Sequence, residues 1–166
     1  MRAAISNGPI IQTAWVVEDI EATEQFFVEH FGVRKWIRLS DIHFGPDTCT
    51  YRGAPADFVA HVAMANVGDM QLELIQPVRG VSIYTEFLER GGAGLHHICF
   101  APDDFDAALE TARTAGVEVV QRGWMANGMM EFAYLDGAAW GVPYIELAKL
   151  GPSMRAFYDA IKEQTT

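Results

Sequence analysis

Residues 11–20, "IQTAWVVEDI", and residues 96–105, "HHICFAPDDF", follow one pattern. A polar residue is followed by alternating apolar positions, an acidic pair and a helix-like segment, and Gln12 falls on His97. Such a repeat constrains the fold more than any single motif, because both copies must build the same unit and bury its apolar face. Asp19 and Asp104 are each placed to cap a helix by accepting bonds from its free N–H groups. Ile20, Phe27 and Phe31 then mark an apolar stripe in the first copy, and Phe105, Ala108, Leu109 and Ala112 mark one in the second. Both stripes run into glycine and valine, "FGV" at 31–33 and "AGV" at 115–117, where glycine readily takes a left-handed cap.

The period then changes to two. The first copy continues "RKWIRL", "DFVAHVAMANV" and "MQLELIQP"; the second continues "VEVVQRG", "MEFAYLD" and "VPYIELAKL". Each copy reads β-α-β-β-β, over about residues 9–77 and 94–150, with "VGDM" at 67–70 as a tight hairpin. Residues 78–93 hold a short connecting helix, "SIYTEFLER". Residues 151–166 predict a terminal helix from about Ser153, striped by Met154, Phe157, Tyr158 and Ile161. Residues 40–57, rich in Gly, Pro and Asp, predict a long loop or lid.

Half of the 166 residues are hydrophobic, enough for one compact domain or two small halves on one core. The net charge of −10 sets the chain against nucleic acid and anionic membranes. No apolar run approaches the roughly 18–20 residues that span a bilayer, and "MRAAISNGPI" lacks the apolar core of a signal peptide. Cys49 and Cys99 form no CxxC motif, so a reducing cytoplasm is expected and a structural disulfide is not.

Alternation along the strands selects four side chains. Gln12 shares a face with Ala14 and Val16, and His97 shares one with Cys99, at the start of each copy's first strand. Alternation also sends His96 to the opposite face. Glu73 and Glu146 occupy matching places in the last strands, among apolar neighbours. A buried carboxylate is costly unless it is paired or holds a cation, so one in each copy implies a shared purpose. Gln12, Glu73, His97 and Glu146 make a mostly oxygen donor set. It suits one divalent ion, without choosing among Zn²⁺, Ni²⁺, Co²⁺, Mn²⁺ and Fe²⁺.

The paired modules, the "HHICFAPDDFDAALETARTAGVEVV" segment and "MQLELIQP" resemble the vicinal oxygen chelate superfamily, which includes glyoxalase I, methylmalonyl-CoA epimerase, extradiol dioxygenases and antibiotic-resistance proteins. The span "ELIQPVRGVSIYTEFLERGGAGLHHICF" most resembles the epimerases. The resemblance implies an α+β fold: two paired modules form an open, curved mixed sheet around a central cavity, with the C-terminal helix added. It also implies metal ligands at Gln12, Glu73, His97 and Glu146, and a homodimer for which the terminal helix offers an apolar stripe. Epimerases typically carry histidine where this chain has Gln12; the Gln/Glu/His/Glu set is similar to that of eukaryotic-type glyoxalase I.

The resulting expectation is a metal-dependent isomerase or epimerase acting on a small acyl-CoA or 2-oxo substrate. It would stabilise an enolate or enediolate beside a carbonyl, with Glu146 as base and Glu73 as the alternative. A glyoxalase I-type lyase, a ferrous dioxygenase and a non-catalytic binding or resistance protein are the other readings. Gln12 weakens the dioxygenase, whose sites favour two histidines and one carboxylate. Asp57 lies near where epimerases carry a second catalytic glutamate. His43, His61, Arg79 and Arg90, and the aromatics Trp124, Phe132, Tyr134, Trp140 and Tyr144, are secondary candidates for substrate contact.

Overall fold

The computed structural model describes residues 4–166. One ten-stranded mixed sheet carries four helices. The first module supplies β1 (Ile10–Val16), α1 (Ile20–Phe31), β2 (Ile37–Phe44), β3 (Cys49–Tyr51), β4 (Ala54–Pro55), β5 (Phe58–Val67) and β6 (Met70–Arg79). Helix α2 (Ile83–Gly91) leads to the second: β7 (Gly94–Phe100), α3 (Phe105–Thr114), β8 (Val119–Met125), β9 (Met130–Asp136) and β10 (Tyr144–Leu150). Helix α4 (Pro152–Thr165) follows. The strand order is β2-β5-β6-β1-β7-β10-β9-β8-β3-β4. The modules meet within one chain, where β1 and β7 pair antiparallel. Parallel β6 and β10 flank them.

The local signals act as their chemistry dictates. The Asp19 and Asp104 carboxylates accept from Ala22 N and Ala107 N at 2.9 Å, and Gly32 closes α1 at φ 71°. Helix α1 covers one outer half of the sheet through Val17, Ile20, Ala63 and Leu74. Helix α3 covers the other through Phe105, Ala112, Ala133 and Leu147.

Residues 40–57 are not a loop. They finish β2 and form β3 and β4, and β3 pairs with β8 of the second module. This crossover forces the sheet to curl. Laid flat, β2 and β3 would sit roughly 40 Å apart, yet residues 45–48 join them and reach no more than about 18 Å. Gly123 permits the close approach, since a Cβ there would lie 2.9 Å from the Thr48 carbonyl oxygen. The sequence reading failed here because the segment's partner strand is remote in the chain.

Helix α4 spans the concave side. Its stripe is turned inward: Met154 and Ile161 are buried in the concave core, and Thr165 Oγ1 accepts from Asn66 N at 2.9 Å. Met154 and Ile161 are therefore occupied within their own chain, while Phe157 and Tyr158 are half-buried. No helix among the described residues is long and apolar enough to cross a membrane. Cys49 and Cys99 are buried free thiols.

Candidate active site

The four central strands bring the selected side chains together. Ala14 pairs with Glu73 on one side and with His97 on the other, and Cys99 pairs with Gln12 and Glu146. Gln12, Glu73 and Glu146 line a concave cavity of about 240 Å³. His97 is fully buried beneath them, its Nε2 lying 3.0 Å from a Glu146 carboxylate oxygen and 3.5 Å from one of Glu73. Gln12 Nε2 donates to Gln71 Oε1 at 2.7 Å, which fixes its amide.

His96 does not point away from His97. The β1–β7 register places Ala14 opposite His97 but Trp15 opposite Leu95, so His96 is the extra residue of a β-bulge. Both imidazoles are buried on the same side, with Nδ1 atoms 2.9 Å apart. Tyr84, Phe87, Tyr134 and Tyr144 pack their rings around His96. The first module repeats the device. Ile10 pairs with Phe100 and Gln12 with Cys99, which leaves Ile11 as the extra residue. Ile11 accordingly packs against the concave core.

Burial disfavours charge on both imidazoles. For His97 the carboxylates of Glu146 and Glu73 outweigh burial and raise its pKa to about 9. For His96 burial dominates, reinforced by the neighbouring His97, and holds its pKa well below the usual range. His97 is then the Nδ1–H donor and neutral His96 the acceptor. Burial pushes the Glu73 carboxyl up, although His97 draws it back. Burial also keeps the hydroxyls of Tyr84, Tyr134 and Tyr158 protonated.

Among the described residues, no group of three or more His, Cys, Asp or Glu side chains is already drawn into ion-holding geometry. The donors nevertheless fit one. His97 Nε2 is buried without a hydrogen-bond partner. Its 3.0 and 3.5 Å spacings to the carboxylates match ligands at about 2.1 Å from one ion, which sit roughly 3.0–3.4 Å apart. The Nδ1 contact with His96 is of the kind that would orient the imidazole if it held an ion.

The secondary candidates fall largely outside. Asp57 is exposed, accepting from Arg79 at 3.1 Å and meeting His43 Nε2 at 2.8 Å. His61 Nδ1 accepts from the Asp41 N–H. Arg90 pairs with Glu86 at 2.8 Å. Trp124 and Trp140 are exposed, and Tyr144 donates to Glu86. Phe132 and Tyr134 do line the cavity. The sequence reading missed the rest of the wall, notably Met64, Met125, Met129 and Met130, and it missed that Met154, Phe157 and Tyr158 of α4 close it. Met64 was discoverable, since it shares a strand face with Val62.

Known proteins share this fold and part of the sequence. The profile of the Glyoxalase/Bleomycin resistance protein/Dioxygenase superfamily matches residues 11–134. An ethylmalonyl-CoA/methylmalonyl-CoA epimerase of Cereibacter sphaeroides is 35% identical over 75 residues, 43% of this chain and 56% of its own. The uncharacterized Bacillus subtilis (strain 168) protein YqjC is 36% identical over 62 residues, 37% of this chain and 44% of its own. The matches thus span about half the length of these curated relatives. The crystal structure of methylmalonyl-CoA epimerase from Mycobacterium tuberculosis superposes with a TM-score of 0.63 at 18% identity, covering 94% of this chain and 96% of the other. A Streptomyces coelicolor methylmalonyl-CoA epimerase variant in complex with 2-nitronate-propionyl-CoA gives 0.58 at 22% identity, covering 87% and 96%.

Proposed function

The chain belongs to the glyoxalase/bleomycin resistance protein/dioxygenase superfamily, and from that premise we propose that it is a proton-transferring isomerase or epimerase. The observation that carries this reading is the pairing of two cavity-facing carboxylates, one from each module, on one buried imidazole. Its substrate is a carbonyl compound whose α-proton is moved; the similarity to methylmalonyl-CoA epimerases makes an acyl thioester one candidate.

Gln12, Glu73, His97 and Glu146 are the residues that would hold a divalent ion, which when bound supplies Lewis acidity to the substrate oxygen. The chain's own residues do the rest. Glu73 and Glu146 remove and return the proton. A carboxylate's ordinary pKa near 4.3 makes it a weak base, and burial brings Glu73 closer to working pH. Glu73 also has the longer contact with His97 and is 12% exposed against 3% for Glu146. It is therefore the freer of the two to reach substrate, which advances it over Glu146 as the base. Neutral His96 holds the His97 ring.

The test is deuterium entry at the α-carbon of a panel of acyl thioesters and ketones in D₂O, followed by NMR. Exchange by the unmutated protein, reduced about a hundredfold or more by Glu73→Gln or Glu146→Gln, is the expected result. No exchange across the panel would leave a binding protein as the better reading.

A further inference from the structure

We propose that the Tyr158 hydroxyl, carried by α4, donates a hydrogen bond to the carbonyl oxygen of the ligand, which makes the C-terminal helix part of the active site. The inference rests on the proton transfer proposed above and adds a residue to it.

The supply of donors is the first argument. The cavity wall offers the side-chain donors Gln12, Tyr84, Tyr134, Ser153 and Tyr158. The Gln12 amide is given to Gln71, and Tyr84 and Tyr134 share one bond at 2.9 Å, both rings packed against His96. Ser153 is exposed, in the first turn of α4 beside N–H groups that no side chain caps. It lies five residues before Tyr158, about 7.5 Å along the helix, so those donors serve the cavity mouth. Tyr158 reaches only the Met130 sulfur, at 3.8 Å. A thioether is a weak acceptor, and a phenol drawn from water without a better one is destabilising. A ligand oxygen in the cavity restores the missing bond.

Position is the second argument. The Gln12 side chain lies against both the Tyr158 oxygen and the Glu73 carboxylate. Two partners of one amide sit roughly 5–6 Å apart. In a carbonyl compound, bonds of about 1.23 and 1.52 Å put the oxygen and the α-carbon roughly 2.4 Å apart. A ligand seated there presents its oxygen to Tyr158 and its α-hydrogen to Glu73 together. As the α-proton passes to Glu73, the C–H electron pair moves onto the carbonyl oxygen. The Tyr158 O–H bond stays intact and stabilises that charge, and the carboxyl then returns the proton to carbon. The oxygen has two lone pairs, so this donor leaves room for a Lewis acid.

Rigidity is the third argument. Helix α4 is tied at both ends, by Gly151 N to the Met129 carbonyl at 2.8 Å, by Asn66 N to Thr165 Oγ1 at 2.9 Å and by Lys162 Nζ to Asp69 at 2.6 Å. The phenol is therefore in place before a ligand arrives, as an oxyanion donor must be.

Two ligands of one shape isolate the contact: 4-phenyl-2-butanone, and 2-methyl-4-phenyl-1-butene, in which a methylene replaces the carbonyl oxygen. A cavity of ~150 Å³ takes benzene, so one of about 240 Å³ admits either. Equilibrium dialysis, with and without added Zn²⁺, gives the ratio of ketone to alkene affinity. Tyr158→Phe keeps the ring and should lower that ratio about fivefold, with the alkene affinity unchanged as proof of an intact cavity. In the deuterium-exchange assay the same variant should lower kcat about a hundredfold and raise KM no more than about tenfold. An unchanged ratio in Tyr158→Phe would overturn the inference, as would no ketone binding by the unmutated protein, or a preference abolished by Ser153→Ala or Tyr134→Phe but kept by Tyr158→Phe. The two readings fail separately. A Tyr158-dependent ketone preference without exchange defeats the proton transfer and leaves this donor standing; full-rate exchange and an unchanged ratio in Tyr158→Phe do the reverse.

Discussion

Two bulges, Ile11–Gln12 in β1 and His96–His97 in β7, are one backbone device used twice with different chemistry. Each inserts one residue opposite its partner strand and turns it towards the concave side. In the first module the pair supplies an aliphatic side chain and an amide. In the second it supplies two imidazoles, one neutral and one charged. The backbone repeats because the shared sheet requires it. The side chains diverge where they reach the cavity, and the difference concentrates the positive charge on one half. Glu73 and Glu146, one from each half, both answer to His97.

Making the second bulge resemble the first should produce the largest effect. His97→Gln strands two buried carboxylates without their cation and is expected to cost about 3–5 kcal/mol in the metal-free protein, read by urea unfolding. A pH series sharpens this. His97 has its pKa raised to about 9, above an ordinary value near 6.5, so its stabilisation is full below about 6.5 and is lost as pH rises through 9. The unmutated metal-free protein should lose stability across that window, and His97→Gln should not.

Removing the outer imidazole alone is milder. His96→Phe keeps an aromatic ring among Tyr84, Phe87 and Tyr144 but deletes the acceptor for His97 Nδ1. Divalent-ion affinity should fall about 10–100-fold, measured by competition with a chelating dye. The reverse exchange, Gln12→His, makes the first bulge resemble the second. It should tighten Ni²⁺ or Co²⁺ binding in the same assay, and cost the metal-free protein about 1–3 kcal/mol by taking the buried donor from Gln71 Oε1.

Glu86 provides a comparison away from both bulges. Burial alone would raise its pKa, but Arg52, Tyr51 and Tyr144 outweigh it and hold it at about 2. That stabilisation is present above about 4.3 and lost as pH falls towards 2. Glu86→Gln should cost roughly 1–3 kcal/mol at pH 7, a figure discounted because the Arg52 and Arg90 side chains are well exposed. It should also flatten the acid limb of unfolding while leaving metal binding unchanged.

Much of this was legible in the sequence for local reasons. Helix caps, apolar stripes and strand alternation are short-range signals, and the repeat doubled each of them. Alternation alone sent Gln12, Glu73, His97 and Glu146 to one side, and the structure brings them there. What failed depended on distant partners. A bulge belongs to two paired strands, so "HHICF" gave no local sign that His96 turns inward. Residues 40–57 look irregular until β8 is available to pair with them. The stripe of α4 announces an apolar partner without saying whether that partner is another copy or, as here, the chain's own cavity.

Cobalt titration monitored by visible absorption tests the central claim most directly, that the two modules build one site. One Co²⁺ per chain is predicted, with a spectrum altered by Gln12→Leu and by Glu73→Gln in the first module, and by His97→Leu and Glu146→Gln in the second. A spectrum and stoichiometry indifferent to both first-module changes would contradict it.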